Sequence, residues 1–300
     1  MKLLILGSEG FIGSHCIDFF SAHQNEVVGV DIHDYPSKKY QYVKVSRLSP
    51  ELDEVFAGQN FNAVINAAGS GNVSYSMTHP VIDFEANVLD TIRILDIIRK
   101  YRLETKYIHI SSAAVYGNPV ELPVPETATC VPLSPYGWHK LMAEQLCKEY
   151  TAVYNLSTAT LRPFSVYGPG LKKQLFWDIN QKLIQAGNTI QLYGTGNESR
   201  DFIHVHDLVV AIEYVLTYGE MKGETYNVAS GMETSIKKAV ELFLKYLSPD
   251  ADVSFNHVVR EGDPLNWRAN IDKLAGLGFK TSVNLEDGLK ETAGWMSNFQ

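Results

Sequence analysis

Leu3-Leu4-Ile5-Leu6-Gly7-Ser8-Glu9-Gly10-Phe11-Ile12-Gly13 decides the reading of this 300-residue chain. Four apolar residues in a row, closed by a glycine, read as a strand buried on both faces, as parallel sheets require. The run is too short to span a membrane. It also lacks the small-residue cleavage site that would follow a signal peptide's apolar core. The glycines repeat as G-x-x-G-x-x-G at the junction of that strand with an amphipathic stretch. Glycine allows the tight turn there and lets backbone N–H groups approach a pyrophosphate at a helix N-terminus. About 20 residues on, Val27-Val28-Gly29-Val30 reads as a second strand and ends in Asp31. A carboxylate at that place accepts hydrogen bonds from the adenosine ribose and repels a 2′-phosphate, which favours NAD over NADP. Arg47, after Val45-Ser46, pulls the other way, because a guanidinium can stack on adenine or meet a 2′-phosphate.

The same alternation continues outward from this unit. Helix Phe11–Ala22 precedes strand Glu26–Val30. Strand Ala63–Asn66, helix Phe84–Lys100, strand Tyr107–Ile110, helix Pro135–Val153 and strand Ser157–Leu161 follow. Strands separated by helices predict parallel βαβ units, hence an α/β fold: a Rossmann-type doubly wound parallel sheet. Ser134 and Pro135 mark a helix start, a side-chain cap followed by a residue whose missing N–H costs nothing. After Gly168-Pro169-Gly170 the segments shorten: helix Gln174–Gln185, strands Thr189–Leu192 and Phe202–Val205, a helix from His206, and strand Thr225–Val228. Residues 1–164 are therefore expected to form mainly the cofactor domain. Residues 165–300 form mainly a smaller C-terminal substrate-binding lobe that returns segments to the large sheet.

Composition narrows the function. Apolar residues are 45% and charged residues 20%, the balance of a globular enzyme rather than a disordered or membrane chain. The net charge of −8 argues against nucleic acid or an anionic membrane as partner. Cys16, Cys130 and Cys147 fall in no metal or disulfide pattern, so no metal is expected and a reducing cytoplasm suits them.

Tyr136 and Lys140 are four apart on one helix face. A Tyr-x-x-x-Lys spacing is common by chance, and a surface pair is its plain alternative. Its context favours chemistry. Strand Tyr107–Ile110 ends in Ser111-Ser112 at the carboxyl edge of the sheet, where open α/β sheets bind ligands. A serine hydroxyl there can hold a reacting oxygen beside the tyrosine. An ammonium alongside the phenol is expected to lower its pKa toward neutrality.

Several motifs occur together in one order. They are the glycine turn, Asn66-Ala67-Ala68-Gly69, Ser111-Ser112-Ala113-Ala114-Val115-Tyr116-Gly117, Tyr136-x-x-x-Lys140, and Leu161-Arg162-Pro163. Arg200-Asp201-Phe202-Ile203-His204 and Arg260-Glu261-Gly262-Asp263-Pro264 follow. Over nearly its whole length the chain resembles the extended short-chain dehydrogenases/reductases, in their NAD-dependent nucleotide-sugar epimerase/dehydratase branch. The resemblance implies Tyr136 as the acid/base, Lys140 as its tuner and ribose contact, and Ser112 as the hydrogen-bond partner of the sugar oxygen. It implies NAD contacts from Gly7, Gly10, Phe11, Ile12, Gly13, Asp31, Ala67, Ala68 and Gly69, with Asn87 beginning the long helix on the cofactor side. It implies substrate contacts from Ser165, Tyr193, Arg200, Arg260 and Asp263, the two arginines facing a diphosphate. Trp177 is a further candidate, with burial in the core as its plain alternative. A homodimer paired through Phe84–Lys100 and Pro135–Val153 is also implied. Two departures stand out: His139 where relatives often carry Ser or Thr, and Ser165 where many carry Asn.

Three reactions compete. A 4,6-dehydratase needs a second acid/base pair after the strand serine, and Ala113-Ala114 stands there instead. A 4-keto-sugar reductase would use the same Ser112, Tyr136 and Lys140, but it consumes reduced cofactor, more often NADPH. Asp31 therefore favours a 4-epimerase acting on a nucleotide-diphosphate sugar, with reduction as the alternative.

Overall fold

The computed structural model describes residues 1–34, 39–46, 51–102, 104–258, 262 and 264–299. Its strands are β1 (Lys2–Leu6), β2 (Glu26–Asp31), β3 (Gln41–Lys44), β4 (Ala63–Asn66), β5 (Lys106–Ile110) and β6 (Thr158–Pro163). They continue as β7 (Ser165–Tyr167), β8 (Thr189–Leu192), β9 (Ser199–His204), β10 (Lys222–Val228), β11 (Glu233–Ser235) and β12 (Asp252–Phe255). The helices run α1 (Phe11–Ala22), α2 (Glu51–Gly58), α3 (Val73–Thr78), α4 (Pro80–Phe84), α5 (Asp90–Tyr101) and α6 (Pro135–Tyr154). They end with α7 (Gln174–Ala186), α8 (Val205–Tyr218), α9 (Ile236–Leu247), α10 (Asp272–Ala275) and α11 (Leu285–Met296).

Seven strands form one sheet in the order β10-β6-β5-β4-β1-β2-β3, every pairing parallel. Side-chain alternation sends Leu3 and Ile5 to one face and Leu4 and Leu6 to the other. The first face packs on α1 and α8 through Cys16, Ile17, Phe20, Leu208 and Ile212. The second packs on α2, α5 and α6 through Phe56, Leu95, Ile98, Cys147 and Tyr150. Burial on both faces explains the unbroken apolar strands. Chain order reverses between β1 and β4, so the ends of these two strands open the crevice that doubly wound sheets use for ligands.

After β6 the chain leaves this sheet. β7, β9 and β11 form a three-stranded sheet, and β8 pairs with β12. Phe176, Phe202, Phe243, Leu289 and Met296 form their core. Through α8 the chain then returns to the large sheet, where β10 pairs with β6.

One expected element is different. Phe84–Lys100 is not a single α-helix. α4 runs through a π-helical turn, Glu85–Leu89, into α5. Asn87 therefore lies inside that turn rather than at a helix start. Its side-chain amide donates to the Asp83 carbonyl at 3.1 Å, a local bond that accompanies the widened winding.

Gly7 and Gly13 make the first crossover possible. Gly7 has φ +75°, and a Cβ on Gly13 would stand 2.0 Å from the Gly7 carbonyl oxygen. Gly13→Ala must therefore push α1 off β1. Overpacking of this kind costs about 1–3 kcal/mol or more, so a lowered thermal midpoint is expected. A midpoint equal to that of the parent chain would contradict the close approach.

Candidate active site

Two cavities meet at the carboxyl ends of the strands. The first, about 930 Å³, is lined by Gly7, Gly10, Asp31, Ala67, Ala68 and Gly69, among others. The glycine turn is pinned to β2, with the Gly7 N–H donating to the Val30 carbonyl at 2.8 Å. Gly10 begins α1 without a side-chain cap, so the first-turn N–H groups have no partner from a capping side chain. Phe11, Ile12 and Gly13 form that turn behind Gly10 and are not themselves among the lining residues. Asp31 is nearly buried. Its Oδ1 accepts from the N–H groups of Ile32 and His33, and its Oδ2 accepts from the Glu9 N–H at 3.0 Å. The His33 ring also meets Oδ1 at 2.8 Å. Oδ2 thus keeps acceptor capacity toward the cleft. Asn87 sits buried beneath the loop, its Oδ1 unpartnered and 2.7 Å from where a Gly69 Cβ would be. A side-chain-free turn at a helix N-terminus, a carboxylate at the end of β2 and an amide oxygen under a glycine loop together fit a dinucleotide.

The second cavity, about 560 Å³, is lined by Ser112, Tyr136, Ser165, Tyr193 and Arg200. Trp177 lines it as well and packs on Trp295 and Phe299. Residues 69–75 run between the cavities, Gly69, Ser70 and Tyr75 facing the first and Gly71 to Ser74 the second. Ser134 caps α6 by accepting from the Gly137 N–H, as its sequence predicts. The Tyr136 N–H donates to Ser76 Oγ at 3.1 Å, which fixes the first turn to α3. Tyr136 and Ser112 both line this cavity, near enough for the serine hydroxyl to act on the phenol. Lys140 is buried behind them and donates to the Ile110 carbonyl at 2.9 Å. Arg200 donates to the Ser199 and Leu265 carbonyls and lies against the Trp267 ring. Arg47, Arg260 and Asp263 lie outside the described residues.

Beneath the reactive pair runs a buried polar network. Arg162 donates to both carboxylate oxygens of Glu144, at 2.9 and 2.6 Å, and to the Tyr116 hydroxyl at 2.7 Å. Ser111 donates to Glu144 at 2.5 Å, and Tyr116 donates to Asn227. Lys173, ahead of α7, donates to the Gly71 carbonyl and faces the second cavity. His139 meets Asp83 at 2.6 Å. Sequence reasoning missed these partners. Glu144 stands four residues beyond Lys140, a helical spacing that signals a shared face. Lys173 reads in sequence only as half of a basic pair.

The expected lowering of the tyrosine is not what the chain does by itself. Burial pushes Tyr136 up to about 12, against the opposing influence of the Ser112 hydroxyl and with the Asp83 charge adding to the rise. The Lys140 ammonium is 6.0 Å from the ring centroid and does not offset that loss of solvent. Lys140 is itself lowered to about 8, chiefly by burial, with Asp83 opposing. At neutral pH the pair is a neutral hydroxyl beside an ammonium. A lysine lowered from 10.5 to about 8 on folding penalises the folded state fully below pH 8, and the penalty fades as pH rises to 10.5. Lys140→Met is thus expected to raise the thermal midpoint most at or below pH 8, with the gain shrinking toward pH 10.5. A gain independent of pH would refute the buried charge.

No described helix is long and apolar enough to cross a membrane. Among the described residues no group of three or more His, Cys, Asp or Glu is placed to hold a metal ion. Residues 3–229 match the model of the NAD dependent epimerase/dehydratase family. A putative UDP-glucose 4-epimerase of Methanocaldococcus jannaschii is 32% identical over 99% of this chain and 98% of its own. A dTDP-glucose 4,6-dehydratase of Escherichia coli is 27% identical over 98% of this chain and 92% of its own. The crystal structure of UDP-glucuronic acid 4-epimerase from Bacillus cereus, with UDP-glucuronic acid and NAD, superposes with a TM-score of 0.90 at 26% identity, covering 100% of both chains. Fold, paired cavities and whole-length similarity agree, and the chain is an enzyme that belongs to the NAD-dependent epimerase/dehydratase family.

Proposed function

We propose that the chain is a 4-epimerase of nucleotide-diphosphate sugars that keeps NAD bound through its cycle. The observation that carries this reading is that Ser112 and Tyr136 line one cavity, backed by buried Lys140, beside the glycine-lined cleft. Relatives named as 4-epimerases, and NAD in the Bacillus cereus structure, support it. The spare acceptor of Asp31 suits a ribose hydroxyl and opposes a 2′-phosphate, which favours NAD over NADP.

Bound NAD supplies the hydride acceptor and donor for the sugar carbon. Once its own proton has passed to solvent, Tyr136 as a phenolate takes the proton of the C4 hydroxyl as that carbon is oxidised, and as the phenol returns it when the opposite face is reduced. Ser112 holds the sugar oxygen in line with Tyr136, and the Lys140 ammonium favours the phenolate that forms transiently. Arg200, which lines the second cavity, would meet the diphosphate, with Arg260 assigned by its motif to the same task. Ser165 and Tyr193 line the sugar and nucleotide end, and Asp263 is assigned by motif to the nucleotide ribose. Gly7, Gly10, Phe11, Ile12, Gly13, Ala67, Ala68, Gly69 and Asn87 hold the dinucleotide. Ala113 is wholly buried in the turn after Ser112, and neither it nor Ala114 can move a proton. A dehydratase would need an acid and a base at that place, which disfavours dehydration.

The cofactor part is assigned to residues 1–164 and the substrate part to 165–300, within a cytoplasmic enzyme. Exposed Val81 and Phe84 at α4, with Trp138 and Met142 on α6, give an apolar face suited to a second copy.

Protein purified without added cofactor and then denatured is expected to release NAD, and parallel samples to equilibrate a UDP-sugar with its C4 epimer. Tyr136→Phe is expected to keep the dinucleotide and lose roughly 10²–10⁴-fold in turnover. An empty protein that oxidises NADPH only with a 4-keto sugar nucleotide would overturn the epimerase reading. Light scattering should give twice the 33.5 kDa chain mass, and Trp138→Glu should halve it. A parent chain that stays monomeric would remove the dimer.

A further inference from the structure

The glycine turn carries an acid of its own. Glu9 stands between Ser8 and Gly10 and lines the first cavity together with Asp31. The Glu9 N–H is the one that holds Asp31 Oδ2 at 3.0 Å, so the two side chains leave from neighbouring points at the carboxyl ends of β1 and β2. The Glu9 carboxylate is anchored. Its Oε1 accepts from the Tyr40 hydroxyl, which also stands 3.2 Å from Ser8 Oγ. Tyr40 lies just ahead of β3 and reaches Glu9 across β2, the strand between β3 and β1. Gly29 on β2 leaves the room for it. A Cβ there would stand 2.3 Å from Tyr40 Cε2 and 2.7 Å from Ser8 Oγ. A glycine inside a buried strand is costly, and here the space it leaves is filled by the phenol that fixes the acid. Cations close by are paired elsewhere. Lys44, opposite Asp31 in the sheet, meets Asp34 at 2.7 Å. Lys100, which lines the same cavity, meets Asp53 at 3.3 Å.

We propose that Glu9, anchored by Tyr40, is a second specificity-determining carboxylate, which works with Asp31 to exclude a 2′-phosphorylated dinucleotide. The inference deepens the NAD reading of the first cavity and rests on it. NADP differs from NAD by one phosphate monoester, which carries about −1.5 to −2 charges at neutral pH. The adenosine ribose lies at the carboxyl end of β2 in folds of this kind. A phosphate on that ribose meets Asp31 from the strand side and Glu9 from the turn side, and like charges brought together in a crevice repel. Asp31 also offers an acceptor to the ribose of NAD. Glu9, with its carboxylate committed to Tyr40, acts by charge alone. It therefore bears on NADP and hardly on NAD.

The test weighs the two dinucleotides against each other on the full chain and needs no sugar. Purified protein is equilibrated with an equimolar excess of isotope-labelled NAD and NADP until the resident dinucleotide has exchanged. Ultrafiltration and denaturation then recover the bound fraction, and mass spectrometry reads its NADP-to-NAD ratio. Glu9→Gln keeps an acceptor for Tyr40 and removes the charge. It should raise the ratio about tenfold while the amount of NAD bound from NAD alone stays unchanged. Glu9→Ser, which also gives up the Tyr40 contact, should move the ratio in the same direction. Asp31→Asn should raise it too, partly by weakening NAD, and Glu9→Gln added to Asp31→Asn should raise it further. An unmoved ratio in folded Glu9→Gln overturns the proposal. So does an equal loss of both dinucleotides, the mark of a residue that only shapes the turn. Failure of both Glu9 variants to fold would make the anchor a requirement of folding and overturn it as well. A parent chain that takes up NADP as readily as NAD would sink the NAD reading itself, before any variant is made. Failure of the epimer assay bears on the reaction and not on this ratio.

Discussion

Arg162 on β6 and Glu144 on α6 share a bidentate pair with almost no access to water, and the arrangement of the reactive groups depends on it. A buried ion pair adds little net stability, because desolvation offsets most of the attraction. What it contributes here is placement. Further partners are Ser111 on the carboxylate and Tyr116 and the Glu126 carbonyl on the guanidinium. Ser111 and Ser112 are consecutive, so one can point down to Glu144 while the other faces the tyrosine. The pair thereby sets α6 against the end of β5. Two turns earlier on the same helix, Tyr136 is brought to Ser112.

The electrostatics follow from the same burial. Every ionisable group near the reactive oxygen is short of water, so each shifts toward its neutral form unless a partner prevents it. Lys140 keeps its charge at neutral pH only by a narrow margin. Burial holds Tyr136 toward its neutral phenol.

Much of this was legible in the residues. The first strand, the glycine turn, α1 and the cap of α6 stand where the sequence puts them, because each depends on local chemistry: an apolar run, a φ only glycine takes readily, a serine beside a proline. α2 was missed, being short and only partly apolar, with a side that the sheet decides. α9, α11 and the strands β7, β11 and β12 were missed because their faces are completed by distant segments, whereas β8 and β9 were expected. The π turn was invisible, since its hydrophobic spacing still resembles a helix. In the site, Ser112, Tyr136 and Lys140 could be read from spacing and strand position. The Asp83–His139 and Glu144–Arg162 contacts could not, because each joins positions whose proximity exists only after the helices have packed. The wrong sign for Tyr136 arose the same way: a sequence shows the neighbouring ammonium but not the missing water.

The return of β10 to the far side of β6 has a consequence for how the chain is made. Every residue of β6 is buried in the finished molecule, yet the partner on its outer edge is synthesised only after the whole of β7 to α8. As the chain emerges from the ribosome, five neighbouring strands can assemble while that edge stays open, its N–H and C=O groups free to pair with another copy. A fragment ending near Phe164 would carry the same open edge permanently. The second half of the chain is thus a lid on the folding of the first as well as a wall of the second cavity.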